Sequence, residues 1–374
     1  MRYAAIDIGT VTCRLLVAEA DDPAAEAYRE RCHQQERDHS ELPSATALQR
    51  VKWFFSGELA TLDKQAAEEA SVDACDLRLH ELHREVQIVD LGQGVDASHR
   101  LDKAAMDRVT DCVRGYLERI QEFSEPNRPV ETAVVATSAV RDAANASELS
   151  KRFTDLGAAL TIVSGKQEAH LSFAGASAAY PGQPVMVVDV GGGSTEVVLG
   201  ISGAEPAFSH SFDIGCRRMT ERFLHADPPT AQECAQARQQ ISQQMQPVFD
   251  QMQPVLERLV GQGDGVQRLV CVAGTATSCV SIDRRMEVYD PRRVDGVEVA
   301  RVTLRRIFDQ LRSLPLEQRR QVVGLEPKRA HVIVAGLLIL DVVMELAGMD
   351  AFTVSETDIL QGIVMRLATS YQLA

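Results

Sequence analysis

The sequence predicts an α/β protein built from two duplicated units that face a single cleft. Three observations carry this reading: a glycine-rich hairpin at residues 185–199, a second copy at residues 3–20, and a strand-to-helix turn that also occurs twice. In VMVVDVGGGSTEVVL an apolar run ends in Asp189, a tight turn follows, and Glu196 leads into a second apolar run. This is the pattern of two strands joined by a turn. Lacking Cβ atoms, Gly191, Gly192 and Gly193 can aim successive N–H groups into one concavity suited to phosphate oxygens, with Ser194 and Thr195 closing the turn. Asp189 and Glu196, at its two mouths, are hard ligands for a divalent cation. Alone, the stretch reads equally well as a glycine-rich hairpin with two solvated acids.

The second copy, YAAIDIGTVTCRLLVAEA, changes that balance. Asp7 aligns with Asp189, Gly9 with Gly191, Thr12 with Ser194 and Arg14 with Glu196, and Thr10 lies inside the turn. Repetition at this scale is a property of the fold. A strand, not a helix, follows the glycines, so neither a Walker loop nor a dinucleotide fingerprint fits.

The 374 residues are 45% apolar and 25% charged, enough for two cores. A formal charge of −14 argues against a general nucleic-acid or anionic-membrane surface. Any polyanionic substrate must then be met by a local basic patch or a metal. The eight cysteines form no CxxC pair, and several sit in apolar runs, as buried free thiols do. Asp7 interrupts the only early apolar run, so no cleavable signal is expected and a cytoplasmic location fits. Residues 331–346 are apolar but short and carry Asp341 and Glu345, which favours a core helix over a membrane span.

Along the chain, residues 3–9 and 12–19 form the first hairpin. Residues 21–76 read as a helical insertion with an isolated Trp53-Phe54-Phe55 cluster. Its Cys32, His33, His39 and Cys75, with His80 and His83, match no common zinc spacing. A strand at 79–91 precedes a helix at 102–123 that places Met106, Val109, Val113, Leu117 and Ile120 on one face. The strand at 131–136 ends in Thr137 and Ser138, which start a helix carrying Arg141. This is an anion site or, equally, an N-cap beside a surface arginine. A strand at 159–163 leads to a helix from Ser164 to about Tyr180, which places Glu168 at the cleft between the units.

After the second hairpin, residues 206–214 extend the sheet. Thr230 and Glu233 form a capping box for a long helix bearing Val248, Met252, Val255 and Leu259, with Pro247 and Pro254 as kink positions. The strand at 268–273 and the turn at Gly274 and Thr275 repeat the arrangement at 133–141. Helices follow at about 303–313, 317–323 and 328–347, then a strand at 352–354. Ser355 and Asp358 read as a capping box for a terminal helix burying Ile359, Ile363, Leu367 and Tyr371. The domains expected are 1–168, holding the insertion, and 169–356, with the helix at 357–374 packing on the first.

Together, AAIDIGT, LGQGVDAS, ATSAVRDAANA, SGKQEAHLSF, VDVGGGSTEVVLG, DIGCRRMTERFL, VAGTATS and VSETDILQGIV make the chain resemble the exopolyphosphatase and guanosine pentaphosphate phosphatase family. That family is a branch of the actin, sugar kinase and Hsp70 superfamily. The resemblance implies two RNase H-like, actin-like domains in the short form. It also implies magnesium-dependent hydrolysis of terminal phosphoanhydride bonds of inorganic polyphosphate, or of the 5′-terminal phosphate of guanosine pentaphosphate. Carried over, Glu168 is the base that activates water. Asp189 and Glu196 organise metal and water, and Asp7, the counterpart of Asp189, joins them as a metal ligand. The phosphate grips are Arg141, Thr137, Ser138, the turns at Gly9, Thr10 and Thr12 and at Gly191 to Thr195, and Gly274 and Thr275.

Two departures stand out: Val11 replaces the family's usual asparagine, and Asp90 its usual arginine before LGxG. A track for a long polyphosphate would draw on Arg217, Arg218, Arg284, Arg285, Arg292, Arg293 and Arg329. Two other classes share the fold: a nucleotide-binding kinase or filament protein, and a phosphate or nucleotide sensor using the insertion as its partner surface. A homodimer follows from analogy alone.

Overall fold

The computed structural model describes residues 1–21, 78–125, 128–261 and 268–370. The interior of the expected insertion, with its aromatic cluster and Cys32, His33, His39 and Cys75, lies outside the described residues, as does Tyr371.

The first sheet contains β1 (Arg2–Ile8), β2 (Thr12–Asp21), β3 (Arg78–Ile88), β4 (Glu131–Ala136) and β5 (Leu160–Ile162), in the order β3-β2-β1-β4-β5. The second contains β6 (Pro184–Val190), β7 (Thr195–Ile201), β8 (Phe208–Phe212), β9 (Leu269–Val272), β10 (Glu298–Ala300) and β11 (Ala351–Val354), in the order β10-β11-β9-β6-β7-β8. Each has a three-stranded antiparallel meander followed by two parallel strands, the order of an RNase H-like unit, and β10 is an added edge. The duplication extends to register: Asp7 pairs with Arg14 in the first hairpin and Asp189 with Glu196 in the second.

Strand periodicity places the acids. Ala4, Ile6 and Ile8 face the core shared with the helices Lys103–Gln121 and Ala146–Asp155, while Tyr3 and Ala5 face the terminal helix Ile359–Ser370. Because side chains alternate, Asp7 shares the face of Tyr3 and Ala5. In the second sheet Met186, Val188 and Val190 pack toward the long helix Ala231–Val260 and the helix Ile333–Leu346. Val185 and Val187 pack under the helix Gly165–Ser177, and Asp189 shares their face.

The helices on these two acidic faces cross each other at two glycines. A Cβ on Gly175 would lie 1.9 Å from the Asp358 carbonyl oxygen, and one on Gly362 would lie 1.9 Å from that of Leu171. The terminal helix thereby touches the second unit's first helix while its apolar face covers the first sheet.

Several expectations are corrected. The cap of the terminal helix is Asp358, whose Oδ1 accepts from Leu360 N while Gln361 Oε1 accepts from Asp358 N. Ser355 instead closes a local turn with Thr357, because it lies too far upstream to reach the helix. The long helix keeps its Thr230 and Glu233 capping box, but its buried stripe runs through Ile241, Met245, Phe249, Met252 and Leu256. Val248, Val255 and Leu259 flank that stripe and are partly buried. The helix carrying Arg141 is one turn, Ser138–Arg141, and that expected at 317–323 is the single turn Leu316–Arg319. The short strand β10 has too few residues to show a period.

The glycine crossing generates a stability prediction. Gly362→Ala forces the helices apart and costs about 1–3 kcal/mol, as overpacking does, which denaturant unfolding measures. Wild-type stability in that variant would mean the helices separate without penalty.

Candidate active site

Both hairpin turns close through the same hydrogen bond, Gly9 N to Thr12 O at 2.9 Å and Gly191 N to Ser194 O at 3.0 Å. The turns meet each other. A Cβ on Gly193 would lie 2.4 Å from Ser138 Oγ and 2.8 Å from Thr10 Oγ1, and one on Gly192 would lie 2.7 Å from Val11 Cγ2. The structure thus brings together Thr10, Val11, Ser138, Gly192 and Gly193. Val11 is buried in the packing between the turns.

Four carboxylates are buried around this junction: Asp7, Glu168, Asp189 and Glu196. Arg14 donates to Asp7 Oδ2 from Nε at 2.9 Å and from Nη2 at 2.6 Å, and its Nη1 bonds Asp358. Asp7 Oδ1 is buried without a hydrogen-bond partner. Ser172 Oγ donates to Asp189 Oδ2 at 2.8 Å, and Ser211 Oγ to Glu196 Oε1 at 2.7 Å. Arg141 Nη1 donates to Glu168 Oε2 and to Val163 O, each at 3.0 Å.

Glu168 sits in the first turn of its helix because Ser164 and Gln167 form a reciprocal capping box that fixes where the helix begins. Ser172, one turn further on, shares its face.

Burial shifts the acids toward their neutral forms. It pushes Glu168 up to about 7 against the opposing Arg141 charge, with repulsion from Asp189 and Asp7 adding to the rise. Asp189 rises to about 6 by burial, opposed by Arg14. Burial and then repulsion from Glu168 and Asp189 raise Glu196 well above the ordinary range. Asp7 is raised by burial and restrained by Arg14. Beside this cluster a cleft of about 720 Å³ opens, with Arg141, Gly165, Lys166, His170 and Ser211 among its walls.

Other expected positions are placed differently. Thr195 Oγ1 donates to Ile214 O at 2.6 Å inside the core. Thr275 is buried against Gly336, where a Cβ would lie 2.5 Å from its Oγ1. Gly274 makes room for Arg329, whose Cζ would lie 2.0 Å from a Cβ there.

Of the expected arginine track, Arg217 and Arg218 are committed to carboxylates. Arg217 pairs with Asp90 of the first unit and with Glu221 of its own helix, and Arg218 with Asp96 and Asp142 of the first unit. Arg284, Arg285, Arg292 and Arg293 are exposed. Among the described residues no three His, Cys, Asp or Glu side chains converge as a metal cage, and His83 bonds Glu85. The six described cysteines are buried and free. No helix among the described residues is long and apolar enough to cross a membrane.

Sequence reasoning missed Ser172, Ser211 and Asp358. The i, i+4 spacing from Glu168 could have found Ser172. The local pattern marked Asp358 only as a helix cap, and nothing in it signals the pairing with Arg14, 344 positions away in sequence.

The Exopolyphosphatase 2 of Mycobacterium tuberculosis is 38% identical over 302 residues, covering 78% of this chain and 90% of that protein. A bifunctional 3-dehydroquinate synthase/phosphatase of Fusobacterium nucleatum is 28% identical over 373 residues, 97% of this chain and 46% of that protein. Among solved structures, an exopolyphosphatase-like protein superposes with a TM-score of 0.72 at 26% identity, covering 100% of both chains. The Aquifex aeolicus Ppx/GppA family member superposes with a TM-score of 0.69 at 24% identity over 99% of this chain and 98% of that one, a likeness of fold. The model of the Ppx/GppA phosphatase family matches residues 69–371, and on that match the chain belongs to the Ppx/GppA phosphatase family.

Proposed function

We propose that this chain is an exopolyphosphatase that releases orthophosphate from the end of inorganic polyphosphate by attack of a water activated by Glu168. The observation that carries the reading is Glu168 itself. It is buried, bonded to Arg141, shifted up to about 7, and set between the cleft and the hairpin junction. A carboxylate with that pKa is a competent base at neutral pH. The named relative with high coverage, Exopolyphosphatase 2, supports the polyphosphate reading over guanosine pentaphosphate. On this reading residues 1–168 form the first domain and 169–356 the second, with the terminal helix returning to the first.

Glu168 takes a proton from water as its oxygen attacks the terminal phosphorus, and the bridging P–O bond breaks toward the shortened chain. Arg141 holds the carboxylate in place and lies on the cleft wall where charge builds. The turn at Gly191 to Thr195 and Ser138 position the terminal phosphoryl group. Asp7, Asp189 and Glu196 are hard oxygen donors but do not converge as a three-ligand cage, so a divalent cation here would rest chiefly on the buried, unpartnered Asp7 Oδ1. When bound, it would neutralise phosphate charge, with substrate oxygens completing its shell.

Orthophosphate release is to be followed from short and long polyphosphate, guanosine pentaphosphate and ATP, with and without magnesium. Release from polyphosphate is expected. Release from guanosine pentaphosphate alone would replace this reading, and binding of all four without release would identify a sensor. Glu168→Gln lowers turnover by about 10²–10⁴-fold, the usual contribution of a positioned base, while circular dichroism stays that of wild type. Near-wild-type turnover removes Glu168 from the mechanism.

The raised pKa also predicts a pH profile. The base works deprotonated, so kcat/KM rises with pH through a midpoint near 7. A midpoint at an ordinary carboxylate value would assign the limb to another group.

Asp189 gives a test with a stability readout. Its folded pKa of about 6 lies above its unfolded one, so stability present at low pH is lost as pH rises through 6. In metal-free buffer at pH 8, Asp189→Asn therefore raises the unfolding temperature by several degrees, and added magnesium stabilises wild type but not the variant. Equal magnesium effects on both would exclude Asp189 as a ligand.

A further inference from the structure

Only four buried side-chain polar atoms among the described residues lack a hydrogen-bond partner, and two of them, Ser138 Oγ and Arg217 Nε, belong to residues lining one small cavity. Thr10, Gly193 and Arg218 complete much of its wall, and its volume of about 10 Å³ accommodates one oxygen-sized atom. Ser138 is 1% exposed and Arg217 is 5% exposed, so neither residue's unpaired atom is satisfied by bulk water. Leaving such groups unpaired is costly, so an acceptor oxygen brought between these residues is favoured.

The rest of the Arg217 guanidinium is held firmly. Nη2 bonds Asp90 and donates to His331 Nε2 at 2.8 Å, and Nη1 donates to Glu221 Oε1 at 3.3 Å. Its backbone N–H is tied to Gly192 O at 2.9 Å, which fixes it to the glycine turn. The unpaired Nε is therefore held as a rigid donor. Ser138 begins the helical turn that ends in Arg141, so an anion held here lies one turn from the arginine that bonds Glu168.

We infer that Arg217 and Ser138 form an oxyanion subsite that receives a non-bridging oxygen of the terminal phosphoryl group, and that Asp90 tunes its strength by partly neutralising Arg217. The identity of the anion rests on the hydrolase reading above. A full phosphoryl group is larger than the cavity, so the two hairpin turns part slightly as it enters. Asp90 lies on the first unit and Arg217 on the second, so their ion pair is among the contacts that loosen, beside those of Arg218 with Asp96 and Asp142.

Asp90 and Arg217 thus have opposite effects on anion binding, whereas a purely structural ion pair would make their removal equivalent. Tripolyphosphate is the probe, read by calorimetric binding to wild type and variants and by KM and kcat. Arg217→Ala weakens binding and raises KM by about 10- to 100-fold, the range for losing a charged hydrogen bond, with kcat changed far less. Arg217→Lys recovers part of the loss. Asp90→Asn tightens binding several-fold.

Unchanged binding in Arg217→Ala, or weakening by both substitutions alike, overturns the inference. If Arg217→Ala does not fold, Arg217→Lys and Asp90→Asn decide the matter by the direction of their shifts. Wild type that binds tripolyphosphate without releasing orthophosphate defeats the hydrolase reading while leaving the subsite to the binding arm. Wild type that does not bind it at all defeats the subsite.

Discussion

No methyl group fits between the helices Gly165–Ser177 and Ile359–Ser370 where they cross at Gly175 and Gly362. That approach sets how far the two acidic sheet faces stand from one another, because each helix lies on one of them. It also delivers Asp358, the cap of the terminal helix, to Arg14 in the first hairpin, and Arg14 in turn holds Asp7. The hairpin register, the cap and the crossing form one mechanical unit. A change in the crossing is felt at Asp7 without touching it.

Within that frame the protein accepts an electrostatic arrangement that would destabilise an ordinary core. Asp7, Glu168, Asp189 and Glu196 share a buried region with two arginines: Arg14 bonds Asp7 as well as the buried Asp358, and Arg141 bonds Glu168. Burial and mutual repulsion push the acids toward neutrality, which opposes stability at neutral pH. The same burial brings the Glu168 carboxyl up to about 7, and Asp7 keeps one oxygen without a hydrogen-bond partner. Strain of this kind is tolerated where function uses it.

The contacts between the two units are also ionic. Arg217, Arg218 and Arg222 on the helix Cys216–Phe223 meet Asp90, Asp96 and Asp142 of the first unit. That helix is bonded to the glycine turn, since Cys216 N donates to Gly191 O and Arg218 Nε to Gly193 O. Polar interfaces can reopen more readily than apolar ones, so the ion pairs couple the separation of the units to the position of the glycine turn. The aspartate at 90 thereby acquires a physical role as the counterion of Arg217.

The two hairpins, their equivalence, the strand-to-helix turns and the start of the Glu168 helix at Ser164 were legible in the sequence alone. Each of these is written in a period or a turn signal within about 20 residues, and local backbone preferences suffice to produce it. Even within an element the phase could slip, as the long helix shows, where Val255 and Leu259 flank the buried stripe through Met252 and Leu256. Only the tertiary structure decided which groups satisfy the acids. Asp358 reaches Arg14 and Arg217 reaches Asp90 across large separations in sequence, and Ser211 reaches Glu196 from the neighbouring strand β8. It likewise took Thr195 and Thr275 into the core and left Ser138 Oγ and Arg217 Nε buried without a hydrogen-bond partner. The reason is that a period reports the environment of one element, whereas the partner of a buried charge is fixed by how separate elements pack.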